Sequence, residues 1–112
     1  MVPVTDATVE AVYKCLLKFP PFDKWKLPAR MNFAVDHLVS KWADYDPNTK
    51  TIRVSSAKVS TFQSLVLAVA HEIVHAHQDA LGRLPDKNPH NNQFGKLARQ
   101  VCKHLGYDPA NF

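Results

Sequence analysis

The sequence predicts an α+β domain in which a small sheet packs on one buried helix. Three observations carry that expectation. Residues 65–81, "LVLAVAHEIVHAHQDAL", read as a helix that is apolar nearly all round in its middle, and Gly82 stops the run. Residues 31–55 instead alternate apolar with polar and contain turn chemistry. The stretches on either side, 5–19 and 91–105, space their apolar residues at helical intervals. At 112 residues the chain is expected to form one domain, 1–112, without room for a second module.

Each element follows from its residues. Thr5 or Asp6 caps a first helix, whose Val9, Val12, Tyr13 and Leu16 fall on one face; Pro20 and Pro21 stop it near Phe19. Phe22 and Trp25, in the stiff connection that follows, are expected to cover the core. Met31, Phe33 and Val35 alternate with Asn32, Ala34 and Asp36, the period of a half-buried strand. His37 continues that parity and reads as a packed or surface histidine. A second extended piece covers about Ser40 to Tyr45, "DPNTK" supplies a turn, and "TIRVS" returns as a hairpin arm. Ser60 and Gln63 have capping-box spacing ahead of the long helix. Phe94, Leu97, Ala98, Val101, Cys102 and Leu105 then give an amphipathic last helix that ends at Gly106.

Composition narrows the class. Hydrophobic residues make up 46% and charged residues 21%, a globular balance that argues against disorder. Cys15 and Cys102 are too few for a disulfide scaffold or a four-cysteine zinc ribbon, and both are expected in the core. The N-terminus lacks the pattern of a secretion signal, and the apolar run Leu65–Ala70 is too short to span a bilayer. A cytoplasmic location is expected, in the host if the source is a phage, with no membrane partner. The 14 basic residues outnumber the 10 acidic ones but are spread along the chain. That balance allows a weak nucleic-acid association.

The chemistry lies in the long helix. His71 and His75 are four residues apart, so they share a helix face with Cβ atoms about 5–6 Å apart. Two imidazole nitrogens at that spacing can meet one zinc ion at roughly 2.0–2.1 Å. Glu72 is rotated about 100° from His71, where it can reach a metal-activated water as general base without being a ligand. Imidazoles and a carboxylate buried after a greasy run need compensation, and a cation supplies it.

A catalytic zinc usually keeps three protein ligands and an open position. His77 turns about 200° away from His75 on a helix and is expected to point elsewhere, as a polar cap or a support to the ligands. Asp79 shares the His75 face one turn further on, where a surface role is favoured over a supporting one. No glutamate follows Glu72. His104 lies about 20 Å along the last helix from His90, so the two cannot bind one ion. His90 is the leading third ligand, with Asp86 and Asp108 as alternatives, and Phe94 is expected to fix its imidazole.

The stretches "HEIVHA" (71–76) and "PHNNQF" (89–94) resemble SprT-like zinc metalloproteases, the family of the Spartan-type DNA-repair proteases, and the minimal gluzincin-like peptidases. The match is to H-E-x-x-H-A and a later H-G-x-x-F, and the order of elements agrees from about residue 5 to 106. The resemblance implies a zincin-like fold with His71, His75 and His90 as zinc ligands and Glu72 as catalytic base and acid. It also implies a protein or peptide substrate paired along an edge strand, here around Ser40–Tyr45, with Trp42 or Tyr45 lining the cleft. Tyr107, His77 and His37 are the candidates for steadying an oxyanion. Asn91 departs from the family's glycine. Bare domains of this kind resemble bacterial and phage sequences, and since these residues include no zinc-ribbon or DNA-binding segment, a crosslink-repair role is not the expectation. The expected function is a zinc-dependent metallopeptidase. The alternative is a nucleic-acid-associated or partner-binding module whose zinc is structural or regulatory.

Overall fold

The computed structural model describes residues 4–37 and 39–112. Helix α1 spans Asp6–Leu16 and is capped by Thr5, whose hydroxyl accepts from the Thr8 N–H while the Thr8 hydroxyl accepts from the Thr5 N–H. Val9, Val12, Tyr13 and Leu16 are buried, as the spacing predicts. The helix stops short of Phe19, because the chain tightens into turns in which Lys18 N–H donates to Cys15 and Phe19 N–H to Leu16. Phe19 precedes a proline, which disfavours helical backbone there. Cys15 is exposed, contrary to expectation, since the covered stripe of α1 is too narrow to include it. Cys102 is buried.

Phe22 is 1% exposed and meets Trp25 edge to face, so this connection covers the core as expected. Strands β1 (Asn32–Asp36), β2 (Ala43–Asp46) and β3 (Thr51–Ser55) form one mixed sheet in the order β1-β3-β2. β1 runs parallel to β3 with Phe33 beside Ile52 and Val35 beside Val54. β2 and β3 make the predicted hairpin, with Tyr45 beside Ile52 and Ala43 beside Val54. The Asp46 carboxylate accepts from the Asn48 N–H in its turn. β2 begins at Ala43, three residues later than the sequence suggests, because Ser40 lies in a bend. Ile52 and Val54 are fully buried because β3 is the central strand. β2 is left as an edge.

Helix α2 covers Phe62–Ala80. Its capping box is made by Thr61 and Ser64 rather than by Ser60 and Gln63, one residue along. Both hydroxyl residues offer a short side chain that reaches the first-turn N–H groups, so the reciprocal pair forms where the helix starts. At the other end Gly82 adopts a φ of 69°, Gly82 N–H donates to Asp79 and Arg83 N–H donates to Gln78. That is a Schellman closure, which only a residue tolerant of positive φ can make without strain. α2 packs against α1, α3, β2 and β3, which makes it the central element. Helix α3 spans Asn92–Leu105, with Asn91 as N-cap and Gly106 as its left-handed stop. No described helix is long and apolar enough to cross a membrane.

Candidate metal centre

His71, His75 and His90 converge. The Nε2 atoms of His71 and His90 are 3.1 Å apart, and those of His75 and His90 are 3.2 Å apart. One nitrogen from each residue lies within 4.8 Å of the others, close enough to hold a metal ion. Two donors about 2.05 Å from a tetrahedral centre stand roughly 3.3 Å apart, which these spacings approach. The proton inventory points the same way. His71 Nδ1 donates to the Phe112 carbonyl oxygen at 3.2 Å, and His75 Nδ1 donates to Gln78 Oε1 at 3.0 Å. Both Nε2 atoms therefore present lone pairs. A proton on His90 Nε2 could satisfy one of them and not both. A cation satisfies all three.

The chain places the three rings by different means. Helix α2 sets His71 and His75 one turn apart, and the turn before α3 brings His90 back over them. Phe94 forms a common floor, with its centroid 5.0 Å from His71, 4.8 Å from His75 and 4.7 Å from His90. Burial pushes His71 and His75 down to about 4, so both stay neutral and able to ligate at physiological pH. The neighbouring imidazoles add to the effect, while the Phe112 carbonyl opposes it at His71 and Gln78 opposes it at His75.

Glu72 is 4% exposed. It makes no hydrogen bond or ion pair of its own among the described residues, and burial pushes its carboxyl up to about 8. Asp44 adds to that rise and Lys41 opposes it. Two cavities meet at Glu72 and His71. One, of about 390 Å³, is lined mainly by apolar groups of Trp42, Ala68, Leu67 and Phe112. The other, of about 540 Å³, is bordered by Lys41, Asp44, Tyr45, Asp86 and Pro89 and also reaches His75 and His90.

The remaining candidates lie elsewhere. Asp86 is exposed at the rim of the polar cavity and outside the ligand group. Asp108 accepts from the Ala110 N–H, capping the last short turn. His77 stacks on Trp25 and donates from Nδ1 to the Lys26 carbonyl at 2.7 Å, which takes it off the cleft. Asp79 does not support the ligands; it accepts from the Tyr45 hydroxyl at 2.5 Å and from Lys50 at 2.6 Å. His37 pairs with Ser56 in a separate cavity at the start of α2. Tyr107 stacks on Phe112 and borders neither cleft cavity. His104 is exposed on α3.

Comparison with protein-family models, curated proteins and solved structures finds no match. Three contributors to the centre escaped sequence reasoning. Gln78 had one signal, a polar residue at i+3 from His75 inside a greasy helix. Asn91 was legible as a tolerant backbone position but not as a hydrogen-bonding one. The Phe112 contact had no local signal, since it joins residues 41 apart in sequence.

Proposed function

We propose that this protein is a zinc metallopeptidase of the SprT-like, zincin kind, acting on extended protein or peptide chains. The observation that carries the proposal is the setting of Glu72. A carboxyl so deeply buried, without a hydrogen bond or ion pair of its own among the described residues, borders two cavities beside three convergent imidazoles. A structural site has no use for such a group, whereas proton transfer does.

The donor set suits zinc, which binds imidazole nitrogen readily and keeps a fourth position open in three-ligand sites. When bound, zinc supplies the charge that activates a water, polarises a carbonyl and favours the ionised form of Glu72. The chain's own residues do the rest. Glu72 takes a proton from the water and hands it to the departing amine, which restores the carboxylate. His71 and His75 stay neutral and fixed through their Nδ1 bonds. The edge strand β2 borders both cavities: Ala43 and the preceding Trp42 line one, and Ala43, Asp44 and Tyr45 line the other. A peptide paired along β2 would cross Glu72 and lay one side chain in the apolar cavity. An apolar residue next to the cut bond is the substrate this favours.

The test is a pair of measurements on one variant. Glu72→Ala should retain about one zinc per chain and lose cleavage of an unfolded protein such as casein. Cleavage at the wild-type rate by that variant would remove Glu72 from the chemistry.

The nucleic-acid reading has one observation in its favour. The exposed face of α3 carries Lys96, Arg99, Lys103 and His104, and the helix contains no acidic residue. Salt-sensitive retention on DNA that Lys96→Glu and Lys103→Glu abolish, together with no proteolysis, would favour it.

A further inference from the structure

We propose that Gln78 positions the metal ligands, fixing the proton of His75 and tying α2 to the turn that carries His90. The side chain of Gln78 is completely buried, the only uncharged amide or acid in the molecule's described core to be so, and both ends of its amide are used. Its Oε1 accepts from His75 Nδ1 at 3.0 Å, and its Nε2 donates to Asn91 Oδ1 at 3.4 Å. Asn91 Oδ1 also accepts from the Phe94 N–H at 3.0 Å.

The polarity of this chain is set at one end by a group that cannot reverse. A backbone N–H can only donate, so the Asn91 atom facing Phe94 is its oxygen. The Gln78 atom facing that oxygen must then be the amide nitrogen, and the atom facing His75 must be the amide oxygen. His75 Nδ1 must therefore carry the proton, which leaves its Nε2 lone pair aimed at His90. One immovable donor thus dictates which nitrogen of His75 can bind a metal, three hydrogen bonds away.

Gln78 is also fixed by its backbone. Its carbonyl accepts from the Arg83 N–H at 2.8 Å in the closure of α2, so the residue that orients His75 also starts the path to His90. Asn91, the neighbour of His90, joins the other end. A glycine at position 91 would offer Gln78 no partner.

This inference rests on reading residues 71, 75 and 90 as metal ligands, but not on the peptidase assignment. It is tested by zinc affinity, measured by competition with a chromophoric chelator, and by the nitrogen chemical shifts of His75 in metal-free protein. Gln78→Met should weaken zinc about 10–100-fold, the usual effect of removing a partner that orients a ligand. Asn91→Gly should weaken it less, Asn91→Asp should keep it near wild type, and the Gln78→Met, Asn91→Gly double variant should be no worse than Gln78→Met. His75 should be the Nδ1–H form in wild type and a mixture in Gln78→Met. Because Gln78→Met also removes a buried contact, a melt of each metal-free variant separates stability from the nitrogen signature. Wild-type zinc affinity in Gln78→Met, or an Nε2–H form of His75 in wild type, overturns the proposal. No zinc binding by wild type overturns the ligand reading instead, while the nitrogen shifts still decide the role of Gln78.

Discussion

The ring of Phe94 stacks on that of His75, with centroids 4.8 Å apart and planes 23° from parallel. The same ring meets His90 almost edge-on at 81° and His71 at 53°. One apolar side chain from α3 therefore floors three imidazoles, two from α2 and one from the turn before α3. Packing and ligand geometry are joined at this residue, and a change there should disturb both.

Phe94→Ala should lower the stability of metal-free protein by about 3–5 kcal/mol, the range for a buried phenylalanine, and Phe94→Leu by less. Urea unfolding reads this directly. Zinc affinity should fall in both variants, more steeply in the alanine one. If stability drops by that amount while zinc affinity holds, Phe94 is core and nothing more.

Much of this was legible beforehand, and the physical reason differs by element. Helix α2 was visible because a buried helix must be apolar on most faces, and the His71–His75 pair because four residues make about one turn. Spacing narrows the third ligand to His90, Asp86 and Asp108, and the fold brings His90 rather than either aspartate to the pair. The start of β2 was misplaced because an edge strand has one hydrogen-bonded neighbour and little pattern to mark where pairing begins. Asp79 was misjudged for a related reason: its partners, Tyr45 and Lys50, lie on the hairpin, and no helical spacing reports a contact across 29 or 34 residues. Burial, charge and pairing that span the chain left the weakest trace.

The metal-free protein should be most stable near pH 6.5 as far as these groups decide it. His71 and His75 have folded values of about 4 against an ordinary 6.5. Unfolded chains bind more protons there, so their contribution is complete above 6.5 and is lost as pH falls toward 4. Glu72 runs the other way, with a folded value of about 8 against 4.5. Its contribution is complete below 4.5 and is lost as pH rises through 8. Thermal melts across pH should show both limbs, and Glu72→Gln should flatten the alkaline one alone. An alkaline limb that persists in that variant would assign it to another group.

Tyr45 and Lys50 both donate to Asp79 Oδ2, which pins the hairpin to the last turn of α2. Burial, reinforced by Asp79, holds the Tyr45 phenol well above its usual range, so it remains a donor at any pH the protein survives. Tyr45→Phe should cost about 1.5–3 kcal/mol, the scale of a hydrogen bond to a charged group. The triad lies outside this clamp. Zinc affinity should therefore be unchanged, while KM for a peptide rises because β2 is less firmly held. Loss of zinc in Tyr45→Phe would mean that the clamp and the triad are coupled.

Trp42 offers the cleanest test of the apolar cavity. It is 53% exposed, so its removal should leave stability within about 0.5 kcal/mol, as for most surface substitutions. Yet it lines the cavity that reaches His71 and Glu72. A substrate side chain seated there would lose apolar contact with the indole, and an effect of about 1–3 kcal/mol on kcat/KM corresponds to roughly 5–150-fold. Trp42→Ala should therefore slow cleavage of peptides with leucine or phenylalanine beside the cut bond and spare those with glycine. Equal slowing of both would mean that Trp42 steadies the strand rather than the side chain. No slowing of either would place the substrate's apolar residue outside this cavity, with the polar one as the remaining route across Glu72.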